Sequence, residues 1–445
     1  MSPRKFTPRP VPALARPRKA KLPTVAERVL PSGLRVVAVR RPSVPVVQVR
    51  LRIPSAVRKD ADLAKAALLE RTMLLGTAER SQGDLAEALQ RIGGSLRVSG
   101  DADRLVLAGE SLRTGLKDLL ALLAEVVTSA SYPKSQVEGE SHRLADQLRR
   151  AMSQPGVIAD EAWLRQLYGD HVYGREHPGA DEVLDVPATS LRAAHRRRVL
   201  PSGSLLVLVG DLTPARALDQ VAAALAGWDT AGTPTSVPKV PAVVPGPLRL
   251  VDRPGAVQSN LRIGGDGVAR TDPSYAAAEL ANALFGGYFS SRLTMNIRED
   301  KGYTYSPRSS LRHGGAASCF LTATEVATEV TAPAMVEIGY ELGRMVSLPP
   351  SAEEVSATAQ YLVGTLALST ATQAGLAGTL AVLLADGLDV TYLREHPEQL
   401  LAVTPAQVHE VAQRLLAPSR LVTTVVGDAA QVEAPLSALY DVVRA

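Results

Sequence analysis

The chain has 445 residues, enough for two to four domains with hydrophobic cores of ordinary size. Apolar residues make up 46% and charged residues 21%, which excludes disorder over most of the chain, and aromatic residues are only 4%, so the cores must consist mainly of Ala, Leu and Val. The single cysteine, Cys319, excludes an internal disulfide and any zinc or iron–sulfur site made of cysteines.

The basic excess of the chain is concentrated at its start. Residues 1–22 hold seven Lys or Arg, five Pro and no acidic residue, so the net charge of +4 becomes −3 for the remainder. This segment lacks the apolar stretch of a secretory signal, and its prolines would break the amphipathic helix of a transit peptide. We therefore predict a disordered tail over 1–22 and a cytoplasmic location, because nothing else indicates an oxidising compartment.

The predicted elements repeat along the chain. The strand segment Gln48–Ile53 (QVRLRI) recurs 210 residues later as Gln258–Ile263 (QSNLRI), and the apolar strand that ends in Gly210-Asp211 recurs 217 residues later before Gly427-Asp428. Apolar and polar residues largely alternate in the paired segments, as in antiparallel strands with one buried face. Two domains of one fold follow from this duplication.

Long helices follow the first strands in each half. The predicted helices span 60–75, 114–127, 134–151 and 158–168, and then 273–285, 330–347, 351–368 and 372–386. Strands and helices are segregated in this order, which predicts an α+β fold: a tandem duplication of two similar domains, each a mostly antiparallel sheet with helices packed on one face.

A proline-rich stretch separates the two halves. Thr233 to Pro247 contains five prolines, a composition typical of a semi-rigid spacer. The predicted organisation is a basic tail (1–22), an N-terminal domain (23–230), a linker (231–247) and a C-terminal domain (248–445).

One segment is long enough to cross a membrane. Val355 to Ala385 carries no charge over 31 residues, but twelve of its positions are Ser, Thr, Gln or Gly. We expect a pair of buried helices here and no membrane association.

The first helix of the first half carries an altered motif. Ala67 to Thr77 reads A-L-L-E-R-T-M-L-L-G-T and resembles the zinc helix of the pitrilysin/insulinase family of inverzincin metallopeptidases, roughly H-x-x-E-H-x-x-x-x-G-T. There, two His at i and i+4 bind one zinc and the Glu activates its water. Ala67 and Arg71 stand at both His positions. Glu70 remains, and we interpret it as a vestigial residue on a solvated or salt-bridged helix face.

The third zinc ligand of that family is a Glu on a later helix. The best match here, Glu140 to Leu148, offers Gln147 at its position. Ala has no donor atom, Gln is a poor zinc ligand, and Arg71 cannot lose its proton. The resemblance therefore implies no metal site in this chain, and we interpret its seven histidines, none paired at i and i+4, as structural.

The second half carries another motif, F-G-G-Y-F-S-S-R-L over 285–293 followed by I-R-E-D-K-G-Y-T-Y-S over 297–306. From the residues alone, this is a glycine loop, a serine-capped helix that stops at Gly302, and a core Tyr305 on the following strand. The run also resembles the family's C-terminal signature, in which an Arg and a Tyr seven residues apart hold the substrate backbone and the developing oxyanion. Arg298 and Tyr305 occupy those positions, and both side chains supply the donors that an oxyanion needs.

This resemblance implies a division of labour between two chains. Two-domain members of the family commonly pair, one subunit carrying the zinc motif and the other the Arg/Tyr pair. We therefore expect this chain to be inactive alone and to be the non-catalytic, substrate-binding subunit of a heterodimeric zinc-dependent endopeptidase that cleaves peptides or small unfolded polypeptides. The zinc would lie in the homologous partner subunit, and peptide would add as a strand to a sheet edge.

Two other functions are weighed against this one. The first is a catalytically inert scaffold or assembly subunit of the same fold, in which Arg298 or Tyr305 would be expected to be lost. The second is nucleic-acid binding through the tail and the cluster Arg192, Arg196, Arg197 and Arg198. That cluster lies on one predicted helix without aromatic residues to stack on bases, so a solvated face is the better interpretation.

Overall fold

The protein is described by a computed structural model that covers residues 22–445, so the tail predicted over 1–22 lies, except for Leu22, outside the described residues. The strands of the first half are β1 (Thr24–Val29), β2 (Arg35–Arg40), β3 (Val46–Pro54), β4 (Ser95–Gly100), β5 (Arg104–Leu112) and β6 (Leu205–Gly210). Its helices are α1 (Leu63–Thr72), α2 (Gln82–Arg91), α3 (Leu116–Ser129), α4 (Lys134–Ala151), α5 (Pro155–Tyr168), α6 (Ala180–Leu184), α7 (Ala188–Arg198) and α8 (Pro214–Ala224).

The second half repeats this plan. Its strands are β7 (Leu248–Asp252), β8 (Gln258–Asp266), β9 (Arg308–His313), β10 (Ser318–Ala327), β11 (Val422–Gly427) and β12 (Val442–Arg444). Its helices are α9 (Tyr275–Asn282), α10 (Arg292–Thr294), α11 (Thr331–Ser347), α12 (Ala352–Ser369), α13 (Gln373–Ala385), α14 (Tyr392–Ala402), α15 (Pro405–Leu415) and α16 (Ala429–Ser437). The eight helices predicted from the sequence begin and end within three residues of these bounds.

Each half contains one six-stranded sheet. The strand orders are β1-β2-β6-β3-β5-β4 and β12-β7-β11-β8-β10-β9, so β2, β6, β3, β5 and β4 correspond in position to β7, β11, β8, β10 and β9. Most neighbours are antiparallel, whereas β2 with β6, and β7 with β11 and β12, are parallel. The predicted α+β duplication is confirmed.

One face of each sheet is covered by helices of its own half. In the first half, Leu68 of α1 and Leu119 of α3 pack in one apolar cluster with the β3 residues Leu51 and Ile53. An equivalent cluster in the second half joins α9, α11 and α15 to β8 and β11. Apolar burial on this face holds each half together.

The opposite face of each sheet is covered by a helix from the other half. Helix α13 places Leu376 and Leu380 against Val207 and its neighbours on the first sheet. Helix α5 places Trp163, which is fully buried, against Leu321 and neighbouring residues of the second sheet. The sequence predicted helices on one face only, because the second covering depends on contacts between residues more than 150 positions apart.

Two buried arginines bind these crossing helices. Arg52 on β3 donates from Nη1 to the carbonyl of Ala381 at 3.0 Å. Arg262, 210 residues later on β8, donates from Nη2 to the carbonyl of Gly156 at 3.2 Å, and its Nε lies 2.5 Å from Oδ1 of Asp160. The duplicated arginines therefore hold each covering helix by its backbone.

The uncharged stretch 355–385 folds as two helices of different burial. Within the described residues no single helix reaches the length and apolarity of a membrane span, and α12 and α13 pass that test only as a pair bent by 112°. Helix α13 is largely buried on the first sheet, as expected. The C-terminal half of α12 is exposed, with Leu368 at 77%, so the prediction of two buried helices was wrong for α12.

We expect Trp163→Ala to reduce the free energy of unfolding by about 3–5 kcal/mol, because it leaves a cavity between α5 and the second sheet. Chemical denaturation followed by circular dichroism measures this. The control Leu368→Ala, at an exposed site, should change stability by about 0.5 kcal/mol or less. Equal effects of the two substitutions would contradict the covering role of α5.

Candidate functional site

The positions of the lost zinc ligands come together between α1 and α4. Arg71 on α1 donates from Nε to Oε1 of Glu140 at 2.5 Å and from Nη1 to Oε1 of Gln147 at 3.1 Å, both on α4. Glu140 is buried and also accepts from Nε of Arg143 at 2.8 Å. A guanidinium thus connects the two helices that carry the zinc ligands in the family motif.

These residues do not fit a zinc ion. Ala67 supplies no donor atom, and Arg71 places a permanent positive charge beside the other two positions. Within residues 22–445 no group of three or more His, Cys, Asp or Glu side chains has a geometry that could hold a metal. The positive charge between α1 and α4 is therefore the guanidinium of Arg71 and not a metal ion.

Glu70 differs from its sequence interpretation. It is half-buried rather than solvated, and no salt bridge joins it to another residue of the described chain. Burial raises the pKa of its carboxyl group, while the charge of Arg71 and the backbone N–H of Gly100 act in the opposite direction. Glu70 lines a cavity between the two halves, together with Ala67.

We expect the full chain to retain no stoichiometric zinc, because one ligand position lacks a donor and another carries a guanidinium. Metal analysis after dialysis against zinc and then buffer measures the bound metal. One tightly held zinc per chain would contradict the ligand assignment.

The same geometry predicts that the metal site can be restored. Because α1 and α4 still contact each other at these positions, Ala67→His, Arg71→His and Gln147→Glu together should bind about one zinc per chain. The matched control carries only the two His substitutions and should bind zinc more weakly. No binding by the triple variant would mean that the two helices have moved away from the ligating geometry.

The second motif forms an irregular turn after α9. Residues Ala283–Gly287 form a π-helical turn, and a Cβ on Gly286 would lie 2.9 Å from the Ser309 hydroxyl oxygen, so the loop passes β9 closely. The Ser291 side chain caps α10 by accepting from the N–H of Thr294, and a second π-helical turn runs over Met295–Asp300. Gly302, at φ +66°, ends this segment as predicted.

Arg298 contacts two aromatic rings. Its guanidinium carbon is 4.8 Å from the ring centre of Phe289 and 4.7 Å from that of Tyr305. Its Nε is 3.2 Å from a carboxylate oxygen of Glu299. Both distances are those of cation–π contacts between a guanidinium and an aromatic ring.

Tyr305 is not a core residue on a strand. It lies in the bend before β9 and is 81% exposed, so that expectation was wrong. Its ring is held by Arg298, and in residues 22–445 its hydroxyl group has no hydrogen-bond partner. Phe289, which is 58% exposed, was not predicted to take part in this site. Its place inside the glycine loop was the one available sign, but no local sequence pattern predicts its contact with Arg298.

The Arg298 pair borders a cleft that is separate from the cavity over α1. The cleft, of about 450 Å³, is lined by Arg298, Tyr305 and nearby residues of β8 and β10, including Gln258 and Glu325. The cavity beside Ala67 and Glu70 is lined by different residues. Within this chain, the altered zinc helix and the Arg298/Tyr305 pair therefore line different cavities.

Histidines in both halves make structural hydrogen bonds. Nδ1 of His195 is 2.7 Å from the Tyr132 hydroxyl, and Nε2 of His396 is 2.7 Å from a carboxylate oxygen of Glu279. The basic cluster on α7 is only partly solvated: Arg196 and Arg197 are exposed, but Arg198 donates to the Ser55 hydroxyl and carbonyl. The prediction of one solvated face was thus wrong for Arg198.

Two family models match the sequence of this chain. Residues 35–177 match the family model described as insulinase (peptidase family M16), and residues 185–362 match the peptidase M16 inactive domain. The chain belongs to this pitrilysin/insulinase family of zinc metallopeptidases.

Similar proteins come from several bacteria. A protein of Streptomyces coelicolor named an uncharacterized zinc protease is 25% identical over 291 residues, covering 64% of this chain and 63% of that protein. A Mycobacterium leprae protein of the same description is 26% identical over 302 residues, covering 67% and 68%. The match therefore spans about two thirds of the length of these relatives.

Solved structures share the fold. A peptidase M16 inactive domain from Pseudomonas fluorescens has a TM-score of 0.82 at 22% identity, covering 91% of this chain and 98% of that one. A protease from Helicobacter pylori has a TM-score of 0.84 at 18% identity, covering 92% and 100%.

Proposed function

We propose that this protein is the non-catalytic, substrate-binding subunit of a heterodimeric zinc-dependent endopeptidase that cleaves peptides or small unfolded polypeptides. Arg298 and Tyr305 contact the substrate, and a homologous subunit with an intact zinc motif supplies the metal. The observation that carries this proposal is the contrast between the two motifs: the zinc ligands are replaced, whereas the Arg/Tyr pair is present and stacked.

The stacked pair suits a carbonyl group that gains negative charge. The Nη atoms of Arg298 and the hydroxyl of Tyr305 have no protein acceptor within the described residues, so these donors are available to a ligand. A guanidinium held by cation–π contacts with two rings needs less reorganisation when charge develops on an oxygen beside it. The arrangement therefore favours oxyanion stabilisation over a purely structural role.

The reaction requires a second chain. The Arg298 cleft is lined by the second half alone, and the α1 cavity lies elsewhere with no ligand set for zinc. A zinc-bound water must therefore reach Arg298 from another subunit. The buried, single Cys319 is compatible with a reducing compartment, and a cytoplasmic location belongs to the same proposal.

In the paired enzyme, we expect Arg298→Ala and Tyr305→Phe each to reduce turnover about 100–1000-fold, since one oxyanion donor contributes about 2.7–4 kcal/mol to transition-state stabilisation. Steady-state cleavage of a fluorogenic peptide measures turnover, and melting temperature is recorded on the same samples. Tyr340→Phe, at another exposed tyrosine, is the matched control and should be neutral. Wild-type turnover in both variants would remove the pair from the site.

The isolated chain should cleave no peptide, and adding a homologous zinc-motif subunit from the same cell should give activity that chelators abolish. Co-purification followed by peptide cleavage with and without the partner tests this. Cleavage by the isolated chain that survives Glu70→Gln would contradict the proposal.

The scaffold function remains the second candidate, and the exposed apolar half of α12 favours it. Tyr361 stacks on Tyr288 at 4.7 Å, and Leu368 is exposed. An assembly role predicts a stable complex whose activity is unaffected by changes at Arg298. The turnover experiment therefore separates the two candidates.

A further inference from the structure

Phe289 is an aromatic side chain at the protein surface that the proposed chemistry does not use. Of the three phenylalanines in the described part of the chain, Phe285 and Phe320 are fully buried, whereas Phe289 is more than half exposed. An aromatic ring gains most of its stabilisation from burial, so hydrophobic packing does not account for this position. What the exposed ring does contact is the guanidinium of Arg298, at 4.8 Å.

The backbone is held on both sides of Phe289. Before it, the ring of Tyr288 stacks on that of Tyr361 of α12 with centroids 4.7 Å apart, and the Tyr288 hydroxyl oxygen is 3.2 Å from that of Thr358. After it, the N–H of Ser291 donates to the Tyr288 carbonyl at 3.1 Å, and the Ser291 side chain caps α10. Phe289 therefore extends from a loop that is fixed at both ends.

Few other contacts orient the Arg298 side chain. Its ion pair with Glu299 joins neighbouring residues whose side chains are both partly exposed, and such pairs contribute little to holding one geometry. Its Nη atoms have no acceptor among residues 22–445. The second ring that it contacts, that of Tyr305, lies in an exposed bend, and the Tyr305 hydroxyl is proposed to bind substrate. The ring of Phe289 is thus the contact best placed to hold the guanidinium before substrate binds.

We propose that Phe289 is a positioning residue for Arg298: its ring holds the guanidinium in the orientation from which the Nη donors reach the substrate carbonyl. This inference rests on the proposed function of Arg298 as an oxyanion donor. Phe289 itself touches no reacting atom. Donors that are oriented before the reaction stabilise the developing charge without reorganising, so the ring contributes to turnover and not to the binding of substrate.

In the paired enzyme, Phe289→Leu should reduce kcat about tenfold and leave KM within about twofold, because a misdirected donor weakens an interaction made in the transition state. Phe289→Tyr keeps the ring and should have a kcat within about twofold of wild type. The matched control Met295→Leu, at another exposed apolar position on the turn that carries Arg298, should be neutral. A raised KM at unchanged kcat in Phe289→Leu would mean that the ring binds substrate directly, and would overturn the proposal.

A double-mutant cycle separates positioning from a general effect on the fold. If the ring acts through Arg298, Phe289→Leu should change kcat less than about twofold once Arg298→Ala is present. An equal loss in both backgrounds would mean that the ring acts independently of Arg298, and this inference alone would fail. Wild-type turnover of Arg298→Ala would instead contradict the proposed function itself, so the two failures are distinguishable.

The isolated chain provides a test that needs no partner. In chain with isotopically labelled arginine, the Nε–H signal of Arg298, assigned by its loss in Arg298→Lys, reports the aromatic rings beside it in nuclear magnetic resonance spectra. Phe289→Leu should shift this signal further than Met295→Leu does, and Phe289→Tyr should leave it in place. A signal that Phe289→Leu does not move would mean that the ring does not hold the guanidinium, and the proposal would be overturned.

Discussion

The structure depends on the mutual covering of its two sheets. Every residue of β6 is buried, so this central strand cannot leave either face in water. The second face is covered by α13 of the other half, and α5 does the same for the second sheet. Because Arg52 and Arg262 also bind these helices, the two halves form one body with a shared cavity between them.

At the position of the family's zinc site, helices α1 and α4 remain in contact, but the side chains that would bind zinc are replaced. Arg71 joins α1 to α4 through Glu140 and Gln147, so one cation still connects the two helices. A guanidinium donates hydrogen bonds but has no open coordination position, so it cannot polarise a carbonyl as a Lewis acid or lower the pKa of a bound water. The packing of the first half therefore survives the loss of the ligands.

The second motif keeps its two hydrogen-bond donors, Arg298 and Tyr305, near the protein surface. A guanidinium in contact with two largely exposed aromatic rings forms a surface that a ligand or another chain can cover. Its separation from the α1 cavity follows from the fold, since the two motifs lie in different repeats and line different spaces. The duplication thus places the two parts of the chemistry apart within one chain.

The sequence by itself determined the repeated α+β fold, the helix bounds and the missing zinc donors. Helix α4 begins and ends where the sequence predicts, at Lys134 and Ala151, and Ala67 lacks a donor atom in any fold. Tertiary structure alone decided the burial of Glu70 and the exposure of Tyr305. It also decided the contact of Phe289 with Arg298 and the packing of α13 on the sheet of the other half. Periodicity and side-chain chemistry are local properties, whereas burial and stacking depend on which distant segments the folded chain brings together.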